Sequence, residues 1–352
     1  MPFISHDQVN EINSKLTSDI SYLGRLYKAK KGKYQTRTVD HSLVDGLKAK
    51  GWDVDRELKT KTRLVKEKTH SREFEDDIWC QFYELGYRHL NFDETCVLPF
   101  GKDSKDKKQI DVIAIDGETV FLIECKSSSK TKKAPSYKDE FDLLRLRLDG
   151  FKKSMQQVLN KKIKVKYVFA TRNLRLEEDS YDLERLKETR SFHYNDSTYT
   201  YVNSLIKHYK KAALNQFLGL VFKNEKINDE RIEIPAIEGD MGGKKYYMFS
   251  IEPSLLLKIG FILHRAKAND SEFPTYQRLL QPARLKGITK FIDDGGYFPN
   301  SIIVNFNGEK QNKLQFEFSK SAKNSSSKLG ILKIVNAYAS AYIIDGQHRL
   351  YG

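Results

Sequence analysis

Two carboxylates and a lysine occupy chemically useful positions in one short segment, QIDVIAIDGETVFLIECKSS, residues 109–128. Asp111 lies in one apolar run, and Glu124 and Lys126 close the next. The Asp-Gly pair at 116–117 between the two runs is a strong hairpin signal. Because successive side chains of a strand point to opposite faces, Glu124 and Lys126 share a face. Such a hairpin can gather two carboxylates and an ammonium, which suits a hard divalent cation beside a phosphate.

The two strands of this hairpin are expected to be buried. The residues that flank the carboxylates are apolar, namely Ile110, Val112, Ile113, Val120, Leu122 and Ile123. A strand that is apolar on both faces is usually central in its sheet, and charges at its end need a reason. The alternative is a surface hairpin in which Glu124 and Lys126 simply pair across solvent.

The elements around the hairpin are predicted from periodicity. A helix is predicted over 71–90, with Ser71 as its N-cap, Glu75 in its first turns and Gly86 as its stop. A strand follows within 92–100 before the charged tip that leads to the hairpin.

After the hairpin, the polar and basic segment 127–140 is predicted to be a mobile loop. A long basic amphipathic helix over 141–162 follows, with a break at Gly150, and then a strand over 163–173 that is rich in β-branched and aromatic residues.

This order of motifs resembles the PD-(D/E)XK nuclease family, which has the restriction-endonuclease-like fold. The family's Phe-Glu pair opening a helix matches 74–75, and the Gly-Tyr that ends this helix matches 86–87. Asp111 and the Glu-x-Lys of 124–126 follow in the family's order, with Ile110 in place of the usual Pro.

The resemblance implies an α/β domain over 71–227, with a central mixed sheet flanked by helices. It implies that Asp111 and Glu124 bind Mg²⁺, for which Mn²⁺ can substitute, and that Glu75 adds a carboxylate that either supports these metal ligands or binds a second metal. Lys126 would position or activate the attacking water and stabilise the charged phosphate. Hard carboxylate oxygens suit Mg²⁺ independently of the family.

The composition favours a polyanionic partner. The chain of 352 residues carries a net charge of +14 with a pI near 9.3, which points to nucleic acid first and an anionic membrane second. Three well-separated cysteines argue against a disulfide framework and for a reducing cytoplasm. The N-terminus lacks a signal peptide, and the apolar stretch 255–263 is too short to span a bilayer, so no membrane association is expected.

The basic segment 51–70 leaves two interpretations open. It could be an extended arm that contacts phosphates, because Lys and Arg outnumber acids from residue 56 onward. It could equally be a solvated connector, because no aromatic residues are interleaved with those charges.

A second cluster of chemically capable residues lies in AYIIDGQHRLYG, 341–352. A predicted strand runs into Gly346, which allows the backbone to approach an anion, and His348 and Arg349 add charged donors. The candidate phosphate-binding residues are Asp345, Gly346, Gln347, His348 and Arg349, together with Gln277, Arg278 and Arg284 from an upstream loop. The alternative is a structural turn in which Asp345 and Arg349 pair with each other.

This pentapeptide resembles the DGQHR domain, and the upstream blocks at 276–278, 282–284 and 291–306 agree in order. The family is associated with DNA phosphorothioate modification and bacterial defence, and the resemblance implies a smaller ParB/sulfiredoxin-like α/β domain. It would occupy 228–352, and the chain stops where a helix should begin, which predicts truncation at its C-terminal end.

The predicted organisation is a helical and basic appendage over 1–70, a nuclease-like domain and a DGQHR domain. The predicted function is a cytoplasmic, Mg²⁺-dependent DNA endonuclease controlled by a nucleotide- or DNA-sensing domain in prokaryotic defence or modification-linked restriction. DNA is the expected partner, and a nucleoside triphosphate, a second copy of the chain or other defence subunits are further candidates. Two alternatives stay open: a non-catalytic DNA-binding regulator, and an NTPase centred on 345–349.

Overall fold

The computed structural model describes residues 2–92, 95–103, 105–177, 179–264, 279–306, 308, 312–321 and 323–352. The chain divides into two compact units, Met1–Tyr199 and Thr200–Gly352. Mixed α/β structure with several sheets is confirmed. The predicted domain boundaries after residues 70 and 227 stay predictions.

The first unit carries a run of helices and strands that alternate along the chain. Its helices are α1 (His6–Asn13), α2 (Ile20–Lys31), α3 (Val44–Lys48), α4 (His70–Leu85), α5 (Lys138–Val158) and α6 (Tyr181–Glu188). Its strands are β1 (Leu16–Thr17), β2 (Tyr34–Asp40), β3 (Asp53–Glu57), β4 (Lys61–Glu67), β5 (His89–Asn91), β6 (Val97–Pro99), β7 (Lys107–Gln109), β8 (Val112–Ile115), β9 (Thr119–Lys133), β10 (Lys164–Arg175) and β11 (Phe192–Tyr194).

A six-stranded mixed sheet organises this unit in the order β1-β5-β8-β9-β10-β11. β8 and β9 are antiparallel, and β9, β10 and β11 run parallel. The predicted hairpin is confirmed, because Asp116 Oδ1 accepts hydrogen bonds from the backbone N–H groups of Glu118 and Thr119 at 2.7 and 2.5 Å. β9 lies between two neighbours, as the apolar pattern on both of its faces indicated.

Helices cover both faces of the sheet. Phe121 of β9 packs against Phe82 of α4 with ring centroids 5.3 Å apart, whereas Leu122 belongs to a core cluster that includes Phe141 and Phe151 of α5. Adjacent strand residues point to opposite faces, so α4 and α5 lie on opposite sides of the sheet. Each helix begins near the end of β9 that carries the candidate site: His70 of α4 lies 3.0 Å from the Ser127 hydroxyl, and Glu140 of α5 contacts Lys108.

Several sequence-based expectations for this unit are wrong. Residues 51–70 form neither an extended arm nor a connector: β3 and β4 are a hairpin in a three-stranded sheet, β2-β4-β3, built on Val44, Trp52 and Leu64. Residues 127–133 belong to β9. Its ladder to β10 runs as far as the pair Ser127 and Arg172, and after a register shift it resumes with the pairs Lys132–Leu174 and Lys133–Arg175.

The predicted break at Gly150 is also absent, since α5 continues through it. A Cβ at Gly150 would lie 1.9 Å from the carbonyl oxygen of Phe100, so this glycine permits close backbone approach. The N-cap of α4 is Thr69 rather than Ser71, with Thr69 Oγ1 accepting from Arg72 N at 3.3 Å. Among the described residues of the segment 92–100, where a strand was predicted, Val97–Pro99 form the short strand β6, which pairs with β7 outside the main sheet.

Helix α7 (Asp196–Tyr209) crosses the boundary between the units. The second unit then contains the helices α8 (Ala213–Val221), α9 (Pro253–Ile259), α10 (Pro282–Asp293) and α11 (Gln347–Tyr351). Its strands are β12 (Lys226–Met241), β13 (Lys244–Phe249), β14 (Gly260–Phe261), β15 (Ile303–Phe306), β16 (Gln315–Ser321), β17 (Lys328–Ala337) and β18 (Ala341–Asp345).

The described residues of the second unit form two sheets, besides the helices. β13-β12-β17-β16 is antiparallel throughout, and in the sheet β14-β18-β15 the strand β18 is parallel to β14 and antiparallel to β15. β12 and β13 are joined by a turn at Gly242 and Gly243, where φ is +60° and +73°. The predicted strand before Gly346 and the helix after it are confirmed as β18 and α11. None of the helices that the structure describes is long and apolar enough to cross a membrane.

Candidate active site

Asp111 is held at the entrance to β8 by backbone hydrogen bonds. Its Oδ2 accepts from the N–H of Cys125 on β9 at 2.7 Å. The side chain of Asn91 fixes the same backbone, with Nδ2 donating to the Asp111 carbonyl at 3.0 Å and Oδ1 accepting from Ile113 N at 2.9 Å. Asn91 is buried, and nothing in the sequence reasoning identified it as a residue that positions Asp111.

Glu124 lies among cations at the point where β9 leaves the core. Its Oε1 accepts a hydrogen bond from Lys126 Nζ at 2.6 Å, so the pair shares one face as predicted. Lys108 Nζ from β7 lies 3.1 Å from Oε2 of Glu124 and 2.9 Å from Oε1 of Glu140 on α5. Lys108 and Glu140 were missed from the sequence, because β7 and α5 are brought to the site only by tertiary packing.

One oxygen of Glu124 is not satisfied. Oε2 is buried and has no hydrogen bond within the described residues, because the 3.1 Å approach of Lys108 lies off the direction that a hydrogen bond requires. The contact is therefore a close ion pair rather than a hydrogen bond. A buried carboxylate oxygen without a donor is costly unless a ligand or an ion completes it.

Burial, together with repulsion by neighbouring carboxylates, perturbs the pKa of Asp111. Burial raises the pKa of Asp111 to about 7, and the negative charges of Glu124 and Glu75 add to the increase, against the opposing hydrogen bond from Cys125. For Lys126, burial disfavours the charged form, but the adjacent Glu124 outweighs it and the pKa of Lys126 is raised. Strongly perturbed groups that act on one another are typical of functional sites.

Glu75 lies on α4, within electrostatic range of the other two carboxylates. Burial raises the pKa of Glu75, opposed by Arg72, and the charges of Asp76 and Glu124 add to the increase. Arg72 Nη1 lies 3.6 Å from Glu75 Oε2.

The donors fit a hard divalent cation in part. Asp111 and Glu124 present carboxylate oxygens to one region, one of those oxygens lacks a hydrogen bond, and their repulsion is the kind that a cation relieves. Among the described residues, no three or more His, Cys, Asp or Glu side chains are grouped to hold a metal ion. The metal-binding role of Glu75 therefore stays a prediction.

The DGQHR segment forms a tightly bonded turn. Gly346 has φ +89°, in the left-handed region that favours glycine. Arg349 donates from Nη1 to the Asn300 carbonyl at 2.7 Å, and from Nη2 to the Ser301 carbonyl at 3.2 Å and to Asp345 Oδ2 at 3.0 Å. The pairing of Asp345 with Arg349 that was left open as the structural alternative is therefore present.

The other predicted residues of this cluster are placed around the turn. His348 Nε2 lies 3.4 Å from Gln281 N, and burial together with the charge of Arg284 lowers the pKa of His348. Gln347 begins α11, and Arg284 lies in the first turn of α10. The predicted residues Gln277 and Arg278 lie outside the described residues.

The comparisons with known proteins bear on the second unit. Residues 234–352 match the model of the DndB family, which is described as DNA-sulfur modification-associated. This match supports the predicted link of that segment to DNA phosphorothioation. No curated protein matches the chain.

One solved structure is similar over part of its length. The crystal structure of protein VC1899 from Vibrio cholerae aligns with a TM-score of 0.27 and 14% identity, over 60% of this chain and 58% of that one. The chain thus spans less than two thirds of the length of that protein, and a likeness at this TM-score carries no conclusion about the fold.

Proposed function

We propose that the first unit is a Mg²⁺-dependent DNA endonuclease of the restriction-endonuclease-like kind. We further propose that the second unit, a DGQHR domain with a ParB/sulfiredoxin-like fold, links its activity to DNA-sulfur modification. The observation that carries the nuclease proposal is the buried Glu124 oxygen without a hydrogen bond, beside Lys126 and repelling Asp111. The net charge of +14 and the match of 234–352 to a DNA-sulfur modification family support DNA as the substrate.

The chain's own residues have distinct roles in this reaction. Asp111 and Glu124 would hold the metal, which when bound polarises the phosphate and makes water a better nucleophile. Lys126 keeps its charge through contact with Glu124, so its ammonium can orient a water or stabilise negative charge on the phosphate. Two hydrogen bonds keep Asp111 in position: the Cys125 N–H donates to its carboxylate, and the Asn91 side chain donates to its backbone carbonyl.

A cleavage assay tests the proposal. Plasmid DNA, phosphorothioated and unmodified, is incubated with Mg²⁺ or Mn²⁺, with and without ATP, GTP or CTP. We expect metal-dependent nicking that disappears in Glu124→Ala and Lys126→Ala. Lys130→Ala is the matched control, because Lys130 is an exposed lysine on the same strand and its loss should leave cleavage intact. Cleavage that survives both active-site substitutions would refute the nuclease proposal.

A second candidate function is a DNA-binding regulator without catalysis. The observation that favours it is the pairing of Glu124 with Lys126 and Lys108, two cations that compensate its charge without a metal. This candidate predicts DNA binding that weakens steeply with salt, and no cleavage with any metal or nucleotide tested.

An NTPase centred on 345–349 is the third candidate. The Arg349 guanidinium is already bonded to two backbone carbonyls and to Asp345, which favours a structural role for Arg349. Phosphate release from ATP, GTP or CTP that Arg349→Ala abolishes, while the variant stays folded, would support the NTPase.

A further inference from the structure

Lys108 bridges two carboxylates that come from different parts of the first unit. Its ammonium lies 3.1 Å from Glu124 Oε2 and 2.9 Å from Glu140 Oε1, and it is 3.5 Å from the hydroxyl of Tyr167. The side chains of Lys108, Glu124 and Glu140 are 18%, 8% and 22% exposed, so the bridge is largely shielded from water. Ion pairs in such surroundings are weakened little by salt.

The alternation of side chains along β7 turns Lys108, and not its neighbours Lys107 and Gln109, toward the site. β7 pairs with β6, with Lys108 opposite Leu98, and the chain then passes through Ile110, whose N–H donates to the Cys96 carbonyl at 3.0 Å. Lys107 and Gln109 point to the other side of the strand and are exposed. The position of the ammonium is therefore built into the strand.

The ammonium lies where a cation is needed at Glu124. Lys126 contacts Oε1 of this buried carboxylate, and the other oxygen has a misaligned contact with Lys108 and no hydrogen bond within the described parts of the chain. A buried carboxylate without a compensating cation is strongly unfavourable, so a protein that binds a metal there needs a substitute charge when the metal is absent. A metal at Glu124 and an ammonium in this position would repel each other. Glu140 gives the ammonium a second partner already in contact.

We propose that Lys108 is a cationic placeholder for the metal at Glu124, and that metal binding transfers its ammonium to Glu140 alone. This inference rests on the proposed metal-dependent function and adds two residues to the site. Lys108 competes with the metal for Glu124, and Glu140 weakens this competition by holding the displaced ammonium. The lysine therefore sets how much metal is required to activate the site.

Binding of Mn²⁺ alone, measured from the electron paramagnetic resonance signal of the free ion, tests the competition. Lys108→Gln should tighten Mn²⁺ binding about tenfold or more, since it removes a positive charge in contact with Glu124. Glu140→Gln should weaken Mn²⁺ binding by a comparable factor. Without the Glu140 carboxylate, the Lys108 ammonium pairs with Glu124 and competes more strongly with the metal. Lys107→Gln makes the same charge change one residue away on the exposed face and should leave the affinity unchanged.

The melting temperature of the metal-free protein is the second measurement. Lys108→Gln should lower it, since Glu124 then keeps only the Lys126 cation, and Mn²⁺ should restore it. Glu124→Gln should abolish Mn²⁺ binding in every background, which assigns the bound ion to this site. The opposite directions expected for Lys108→Gln and Glu140→Gln keep the inference testable even if one of the two variants does not fold.

The outcomes separate this inference from the function on which it rests. If the wild-type protein binds Mn²⁺ through Glu124 and Lys108→Gln binds no tighter than Lys107→Gln, the placeholder role is refuted and the metal site stands. If neither the wild-type protein nor Lys108→Gln binds Mn²⁺, both the metal site and the placeholder fail. Binding by Lys108→Gln alone would support a lysine that blocks the site completely.

Discussion

Replacing Asp111 by Asn should stabilise the first unit at alkaline pH. The pKa of Asp111 rises from the ordinary 3.8 to about 7, chiefly through burial and then through repulsion by Glu124. At about 1.4 kcal/mol per pKa unit, ionising this carboxyl in the folded protein costs at most about 4 kcal/mol. The amide of an asparagine carries no charge and keeps an oxygen that can accept the Cys125 N–H, so the substitution removes this cost and retains the hydrogen bond.

The sign of the pH dependence follows from proton binding. Between about pH 4 and pH 7 the unfolded chain has released the proton that the folded protein keeps on Asp111, so the wild-type stability falls as the pH rises through this window. The variant lacks this contribution. Its advantage over the wild-type protein should be small at pH 4 and reach about 2 kcal/mol or more at pH 8.

Urea unfolding followed by tryptophan fluorescence measures this difference. Both tryptophans of the chain, Trp52 and Trp79, belong to the first unit, so the signal reports on the unit that contains Asp111. The control is Asp149→Asn, which removes an exposed carboxylate on α5 and should show no such rise with pH. A variant Asp111→Asn that is no more stable at pH 8 than at pH 4, relative to the wild-type protein, would show that burial and the neighbouring carboxylates do not raise the pKa of Asp111 as inferred.

Two glycine substitutions test the backbone arrangement. Gly150→Ala should destabilise the first unit by about 2 kcal/mol or more, despite the better helix propensity of Ala, because its Cβ would lie 1.9 Å from the Phe100 carbonyl oxygen. Urea unfolding measures this loss. The control is Gly46→Ala on α3, where an added Cβ meets nothing within 4 Å. Gly346→Ala should lower the free energy of unfolding of the second unit by about 1–2 kcal/mol, because φ is +89° at this position. Faster amide hydrogen exchange in β18 would report the loss. The control is Gly287→Ala, whose added Cβ is unobstructed, and exchange in Gly346→Ala as slow as in this control would contradict the prediction.

The local part of the candidate site could be predicted from the sequence. An Asp-Gly turn between two apolar runs specifies a hairpin, and the period of two along a strand places Glu124 and Lys126 on one face. Burial of the strand followed from its apolar residues on both faces. These inferences need only short-range geometry, which is why they agree with the contact of 2.6 Å between the two side chains.

Tertiary structure decided which other residues reach the site. Lys108 and Glu140 are 16 residues away from Glu124 on either side, and only the packing of β7 and α5 brings the Lys108 ammonium into contact with both carboxylates. The same cause explains Gly150, where propensity predicts a break and the approach of Phe100 instead requires a helical glycine. Residues 127–133 also look like a loop by composition, but pairing with the parallel neighbour β10 at Ser127 and again at Lys132 and Lys133 keeps this segment in the strand.

The sequence by itself therefore determined the hairpin, its buried strands and the pair Glu124 and Lys126, because these depend on local turn chemistry and side-chain alternation. It also determined the strand before Gly346 and the turn at it, because an apolar run predicts a strand and a glycine directly after it permits the left-handed backbone of the turn. Only the tertiary structure showed that Arg349 is already occupied by backbone carbonyls and Asp345, and that a lysine stands beside the buried oxygen of Glu124. Such contacts join distant segments, and no local pattern encodes which distant side chain fills the remaining space.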